Sequence, residues 1–596
     1  MLLSWDARES LYQDGFSERV LKNDCACLLW AKGYFFDSSG RMWLGDEILD
    51  WLETQLGANE LSDLVPEMNG CFSVIVVWPR AGVIEVGIDR FGTSPLYYHI
   101  GDSNLVISDS FWKVTSQLSS TEYDPDAVVS MVLLGYVAGY RTLLKGIMEL
   151  SQAATHRFSF VDDIPELVSQ RYWMFSYRAR PRRRPEVWRD ELAQTLDSIF
   201  VRYAQAILDR GNDLHIPLSG GKDSRLLVGM FSHHGVPVQA FSYGPSGNIE
   251  TRCASQVAAA LDIPFHLAPV NTPSFLKPPL IQTMTRRVGM RARFTAGLGA
   301  QLSLDAFCAQ DVYMPGHSGD LVTGSWLNLP ALRARSKSRA IQQLINMHLL
   351  PVLDEMAAAI LPGTWHTGSQ IESISSNWHF HADDPFGSVD RWNYENRQRR
   401  LILSELRAYE QFGRWMLPFF DYEFFDFFAQ VPLELRYQQR LYIDTLIHNI
   451  FVDDLAALAQ IPIAYQGVLQ SPALSWRDWM LIKMPATILD DWILRKATDS
   501  KHREHSRSIG MCSPESSGPD PLDHWWYDHP AFRQSISNTF RDWDGMHRIV
   551  DVPALIELLQ KPLPRLFIQF TVPALLTLYY FQQITEARPG ARLQRC

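Results

Sequence analysis

The run His215-Ile216-Pro217-Leu218-Ser219-Gly220-Gly221-Lys222-Asp223-Ser224-Arg225-Leu226-Leu227-Val228 constrains the fold more than any other stretch of the 596 residues. A short apolar segment ends in a serine and two glycines, and a helix-like run begins directly after them. Small residues and free backbone N–H groups are thereby set at a helix N-terminus, which makes an anion site. Glycine is needed there because a Cβ would hold phosphate oxygens away from the backbone. The spacing is not the G-x-x-x-x-G-K-[ST] of the ordinary P-loop. Asp223, one residue before the closing serine, suits a Mg²⁺ shared between protein and phosphates, an ion commonly held by one or two carboxylates plus substrate phosphate. The plainer alternative is a glycine turn capped by Ser219; strand, turn, aspartate and helix occurring together in that order weigh against it.

After this loop the pattern alternates between helix and strand, which predicts a parallel sheet with crossovers. Residues 238–244 read as the next strand, 250–261 as a helix and 264–267 as a strand. Further on, Val312-Tyr313-Met314-Pro315-Gly316-His317-Ser318-Gly319-Asp320 is an apolar strand ending in a glycine-bracketed turn with one aspartate. A carboxylate offered from a neighbouring strand end is placed to complete the Mg²⁺ shell begun by Asp223. Taken alone, that turn is equally an ordinary strand end.

Size and charge narrow the class. The chain is too long for one ordinary core, so two or more domains are expected. With 46% hydrophobic and 20% charged residues it reads as a soluble globular protein, and a net charge of −11 argues against nucleic-acid binding through a basic field. Seven scattered cysteines fit reduced thiols in a cytoplasmic protein. Cys25-Ala26-Cys27 reads as two strand residues rather than half a metal site, since no second pair follows. No secretory signal opens the sequence. The most lipid-like stretch, 566–581, is interrupted by Gln569 and Pro573 and falls short of the roughly 20 apolar residues of a span, so it reads as a buried helix. Several of the nineteen tryptophans sit in polar surroundings, where they could rim a site for a bulky ligand.

The N-terminal part is strand-like, with apolar runs at 26–31, 71–78, 82–88, 96–100 and 105–108 and helical pieces at 46–56 and 125–134, an α+β arrangement. The basic segment 177–185 reads as a solvated linker or, alternatively, a docking strip for an acidic partner, and a helical pattern follows over 186–208. The polar stretches 363–400 and 497–530 look like insertions or mobile loops, either lids or disordered.

SGGKDS resembles the SGGxDS signature of ATP pyrophosphatases, which split ATP between the α and β phosphates and pass AMP to a carboxylate or carbonyl oxygen. Met68-Asn69-Gly70-Cys71-Phe72, Asp89-Arg90-Phe91-Gly92-Thr93-Ser94-Pro95-Leu96-Tyr97-Tyr98 and the segment from Gly135 to Leu150 resemble the glutaminase half of class II amidotransferases of the asparagine synthetase B type. The resemblance implies an α+β glutaminase-like (Ntn-type) domain over 1–176, a linker over 177–190, and over 191–596 an α/β ATP-pyrophosphatase (adenine nucleotide α-hydrolase-like) synthetase domain with a helical C-terminal part. It implies ATP and Mg²⁺, with Asp223 and Asp320 as metal ligands. Nucleotide contacts would come from Leu218, Ser219, Gly220, Gly221, Asp223, Ser224, Ser242, Tyr243, Gly244 and Gly316.

Departures from the pattern redirect the chemistry. Active glutaminases of this type carry cysteine after the initiator methionine, and here position 2 is Leu2, so ammonia production is expected to be lost. Arg414 through Asp421 resembles the E-x-R-x-P-F-L-D segment of asparagine synthetases, with Arg414 and Met416 replacing its glutamate and arginine, which puts asparagine synthesis in doubt. His317 falls where β-lactam synthetases place a catalytic tyrosine; a base and a structural donor are equal readings. Arg440 sits where the synthetases place a lysine that neutralises leaving pyrophosphate, although a surface arginine would look the same. With Lys222 these make up the catalytic candidates.

An intact AMP-forming half, a lost ammonia source and an altered amino-acid pocket leave the substrate itself as the simplest amine donor. The G-H-x-G-D form at 316–320, without a Tyr/Glu pair, is most similar to lasso-peptide cyclases, the isopeptide-forming macrolactam synthetases. The implied substrate is a linear core peptide whose Asp or Glu carboxylate is joined to its N-terminal amine. A leader peptidase and a leader-peptide-binding protein are the implied partners, with no nucleic acid and no membrane span. β-Lactam synthetase-like ring closure and an asparagine synthetase-like amidotransferase are the alternatives.

Overall fold

A computed structural model of the chain describes residues 2–6, 10–14, 17–20, 26–161, 164–178, 183–270, 277–303, 311–327, 334, 336–348, 356, 358–361, 375, 378–464, 466–483, 522–563, 567–587 and 592–593. The N-terminal half is a sandwich of two antiparallel sheets. One takes the order Met148–Glu149, Tyr97–Ile100, Asn104–Ser108, Leu2–Asp6, Ser10–Asp14. The other runs Ile164–Arg171, Ala154–Val161, Val83–Ile88, Asn69–Trp78, Ala26–Phe36, Ser17–Val20, with Met42–Leu44 paired beside Ala26–Phe36.

Strand Asn69–Trp78 shows why its sequence is a continuous apolar run. Ile75 and Val77 pack with Ile84, Leu105 and Ile107 between the sheets, while Phe72, Val74 and Val76 pack with Ile48, Leu52 and Leu64 of the helices Glu47–Gln55 and Leu61–Leu64. Both faces are covered, so neither alternate set of side chains needs to be polar. The five apolar runs read as strands all fall on strands of this sandwich.

The second half is built on five parallel strands in the order Phe265–Pro269, Val238–Gly244, Leu214–Pro217, Asp311–Tyr313, Gly413–Trp415. Helices Lys222–His233 and Ile249–Ala260 are the crossovers on one side of the order. Leu214–Pro217 pairs directly with Asp311–Tyr313, and the winding reverses there. The crevice beyond the carboxyl ends of those two strands is therefore the topological switch point, where an open α/β sheet binds ligands.

The C-terminal part is helical, as expected. Helix Val572–Glu586 packs on Pro278–Val288 and on Pro125–Leu134 of the N-terminal half, with Leu575, Leu578 and Phe581 fully buried. Among the described residues no helix is long and apolar enough to cross a membrane. Of the basic stretch read as a linker, Tyr177 donates its hydroxyl to the Val431 carbonyl at 2.6 Å, Arg183 pairs with Glu191 at 2.9 Å, and helix Pro185–Arg210 has already begun.

One expectation is overturned. Residues 385–400 are not part of a mobile polar insertion but a buried helix, Pro385–Asn393, that continues as the π-helical segment Tyr394–Leu401. Its polarity is internal. Arg399 bonds Glu149 at 2.6 Å, Arg400 bonds both Glu149 and the Arg141 carbonyl, and the Gly139 N–H donates to Asn396 at 2.7 Å. Arg291 is a third guanidinium, 3.6 Å from Glu149. Burial alone would raise the Glu149 carboxyl, but the charges of Arg291, Arg400 and Arg399 overcome it and hold it below the ordinary value. Residues 363–374 and, in the second expected loop, 497–521 lie outside the described residues; Leu522–Asp528 and Pro530–Thr539 are helices.

Two further ties join the halves. Asn69 donates to Asp421 at 3.0 Å, and Arg202 reaches the same carboxylate at 2.6 Å. Phe91 inserts its ring among Phe420, Tyr422 and Phe425, with centroids 4.9, 6.2 and 4.4 Å away.

Removing the Glu149 charge with Glu149→Gln strands three buried arginines, and the expected cost is about 3–5 kcal/mol. Arg157→Ala breaks only the exposed pair with Glu85 and is expected to cost under about 1 kcal/mol. Urea unfolding of both variants checks the difference; equal midpoint shifts would contradict it.

Candidate functional site

The glycine turn 218–221 joins strand Leu214–Pro217 to helix Lys222–His233. Leu218 is buried and its N–H donates to the Phe241 carbonyl at 2.7 Å, which ties the loop to the neighbouring strand. Gly220 has φ +72°, and a Cβ there would lie 2.6 Å from Cβ of Cys253, so glycine is required by conformation and by space. Helix Lys222–His233 has Gly221 at its N-cap and no side-chain cap, which leaves its first N–H groups to a ligand. Ser219 donates its N–H to Ser224 Oγ at 3.2 Å.

Arg225, quoted in the motif but given no role from sequence, anchors this turn from behind. Its fully buried guanidinium donates to the carbonyls of Gly220 (3.1 Å), Leu458 (2.7 Å), Ile461 (2.6 Å) and Pro462 (2.9 Å). Burial pushes it down to about 10. A lone arginine opening the apolar run Leu226-Leu227-Val228 was the available signal.

The second turn closes on the first. Ser318 adopts the left-handed conformation with φ 65°, and the short helix Gly319–Thr323 begins after it. A Cβ on Gly316 would lie 3.0 Å from the Ser224 nitrogen, and one on Gly319 3.0 Å from Asp223 Cγ. The glycines therefore permit the approach of the two aspartates. The Asp320 N–H is bonded to the Asp223 carboxylate, and Tyr442 donates its hydroxyl to Asp223 at 2.8 Å. Asp320 accepts from Ser325 Oγ at 2.9 Å. Burial, then the facing charge of Asp320, pushes Asp223 up to about 7, while Lys222 and Tyr442 pull it back. Two carboxylates brought together at this cost form a hard-oxygen pair that fits Mg²⁺.

Ser242, Tyr243 and Gly244 close the adjacent strand, and the Tyr243 ring fills the space a side chain at Gly299 would take. Arg440 begins helix Arg440–Thr445, which also carries Tyr442 to Asp223. Its guanidinium donates to the carbonyls of Pro472 at 2.9 Å and Glu434 at 3.0 Å. Arg414 is exposed on the edge strand.

His317 points Nε2 toward Glu405, 3.6 Å from its carboxylate, and Glu405 accepts the Tyr409 hydroxyl at 3.0 Å. The chain thus holds an acid beside the position read as lacking a Tyr/Glu pair. Glu405 lies far along the chain from His317 and in no recognisable motif, so sequence reasoning missed it. Glu405 also lines a cavity of about 440 Å³ with Tyr243, Trp326, Arg293, Arg397 and Phe570, to which Leu134 and Tyr136 of the N-terminal half contribute.

Residues 48–173 match the family model of a glutamine amidotransferase domain, and residues 209–443 match that of asparagine synthase. No curated protein matches the chain. Among solved structures it is similar to one titled as the allosteric regulatory enzyme of purine biosynthesis, at 12% identity and TM-score 0.18 over 51% of this chain and 58% of that one. Another is glutamine phosphoribosylpyrophosphate amidotransferase from B. subtilis complexed with ADP and GMP, at 10% identity and TM-score 0.16 over 52% and 59% of the two chains. The chain therefore spans less than two thirds of the length of either structure.

Asp223 binds its proton more tightly folded, at about 7, than at its ordinary 3.8. Its contribution to stability is complete below pH 3.8 and is lost as pH rises through 7. Asp223→Asn is expected to raise the melting temperature of the metal-free protein at pH 8 and to flatten its fall between pH 4 and 7. Superimposable pH profiles for parent and variant would refute that assignment.

Proposed function

From a glutamine amidotransferase domain followed by an asparagine synthase domain, an asparagine synthetase B-like architecture, we propose an AMP-forming amide ligase that closes a macrolactam in a ribosomal peptide, a lasso-peptide cyclase. The meeting of Asp223 and Asp320 beside the uncapped phosphate turn carries this reading.

The first N–H groups of helix Lys222–His233 and the hydroxyls of Ser219 and Ser224 hold the departing pyrophosphate. Leu218 and residues 242–244 bracket the adenine. Asp223 and Asp320 would hold Mg²⁺, which neutralises phosphate charge and orients the α-phosphorus when bound. An oxygen of the peptide's Asp or Glu carboxylate attacks that phosphorus, the bond to the bridging oxygen breaks and pyrophosphate leaves. The peptide's α-amine, with a free pKa near 8, then attacks the acyl carbon and AMP departs. His317 takes the amine proton, its ring oriented by Glu405. Lys222, next to Asp223, supplies positive charge at the phosphates. Arg440, donating to two carbonyls, acts through the helix it starts.

Support for an amine supplied by the substrate comes from the thiols. Cys27, Cys71 and Cys253 are all buried, so none of these described thiols is presented as a glutaminase nucleophile. Support for a peptide comes from the G-H-x-G-D turn and from a cavity large enough for more than one side chain. A leader peptidase and a leader-peptide-binding protein are the partners this reading proposes, in the cytoplasm.

Incubation with ATP, Mg²⁺ and linear precursors is expected to give AMP, pyrophosphate and a peptide lighter by one water in mass spectrometry. Asp223→Ala and Asp320→Ala should each lower turnover on the order of 100-fold or more. Full pyrophosphate release by either variant would overturn the site. Asparagine or a β-lactam as product would overturn the cyclase.

A further inference from the structure

We infer that Arg397 is the carboxylate clamp of the cavity between the two halves, and that the pocket accepts an acidic peptide residue together with an apolar neighbour. This rests on the peptide-ligase reading above and names the part of the substrate that the pocket selects.

The arginines around Arg397 are committed. Arg399 and Arg400 bind Glu149, Arg436 binds Asp390 at 3.1 Å, and Arg391 donates to the carbonyls of Phe175 and His379. Arg397 differs: among the described residues no carboxylate lies within 4.0 Å of its guanidinium, which instead covers the Trp326 ring at 4.5 Å. It is half-buried and lines the cavity. Burial lowers its pKa, and the nearby Tyr136 and Asp320 act against that, so the guanidinium stands where the charge of the proposed metal ligand is felt.

A guanidinium seated over an indole has its donor fork restricted in orientation, and a carboxylate is the partner that fork matches in two parallel bonds. The adjacent residue Gln398 accepts the Ser318 hydroxyl at 2.5 Å, which couples the same π-helical segment to the turn bearing His317 and Asp320. Such segments are frequent at functional sites. Glu405, beside His317, belongs to the same lining, so a carboxylate clamped by Arg397 lies in one chamber with the proposed base assembly. Arg293, whose guanidinium covers the Phe570 ring at 4.6 Å, lines the same cavity, and Leu134, Tyr136 and Phe570 supply its apolar and aromatic wall. Leu134 and Tyr136 come from the N-terminal half, which gives that domain a task as one wall of the acyl pocket.

The test uses the full chain without ATP and two capped hexapeptides, acetyl-Gly-Ala-Phe-Glu-Ala-Ala-amide and its Glu→Gln counterpart, titrated to millimolar concentration by calorimetry. The parent protein is expected to bind the glutamate peptide at least tenfold tighter. Arg397→Gln should erase that preference while binding of the glutamine peptide is retained. Arg397→Lys should retain part of it. Leu134→Trp, which fills the cavity from the N-terminal wall, should weaken both peptides alike. No binding by the parent, no preference for glutamate, or a preference that survives Arg397→Gln overturns the inference. Release of AMP and pyrophosphate from a precursor is scored separately, so a ligase with an indifferent pocket and a selective pocket without ligase activity give different results.

Discussion

A single carboxylate, Glu149, faces three guanidiniums in a region closed to water, and the arrangement of both halves follows from satisfying them. Arg291, Arg399 and Arg400 are each 1% exposed or less. A charge so placed is tolerated only when its partners are geometrically complete, so the segment Tyr394–Leu401 must lie against the N-terminal half in one position. Arg399 and Arg400 also donate to the carbonyls of Gly139, Val137 and Arg141, which extends the constraint along residues 137–141 of that half. The same segment then sets Gln398 under Ser318 and Arg397 over Trp326. Interdomain packing and site geometry are thus one problem with one solution.

The site itself is an electrostatic cost distributed over several supports. Asp223 and Asp320 approach because two glycines omit the side chains that would separate them. Tyr442 and the Asp320 N–H offset part of the repulsion by donating to Asp223. Arg225 fixes the turn from beneath through four backbone carbonyls, which keeps the phosphate loop from relaxing away. Left-handed Ser318 stores a modest backbone strain at the point where this turn meets the loop.

Local chemistry was legible wherever neighbours in sequence are also neighbours in space. The loop 219–224, the strand before it and the helix after it needed only small residues, apolar patterning and an aspartate in order. The strands of the N-terminal sandwich were legible for the same reason. The stretch 385–400 was misread because composition cannot distinguish an arginine in water from one paired in a core, and its partner Glu149 lies in the other half. Glu405 was missed for a related reason: nothing around it forms a motif, and only folding brings it to His317. Arg440 was read either as a cation neutralising pyrophosphate or as a surface arginine; its donors go to the carbonyls of Glu434 and Pro472, while Tyr442, two residues on, reaches the aspartate.

What the amino-acid sequence determined by itself is the strand, glycine turn and helix around residues 214–233 and the turn bearing Asp320, because each depends on short-range backbone geometry and residue size; the order of the two halves came from family resemblance. What tertiary structure alone decided is which distant groups share one enclosure: Arg397 with Trp326, His317 with Glu405, Leu134 and Tyr136 with the synthetase half. Those pairings are set by the burial of Glu149 among its arginines and by the reversal of strand order at residues 214–217 and 311–313. Both are long-range constraints, and no local pattern of residues encodes them.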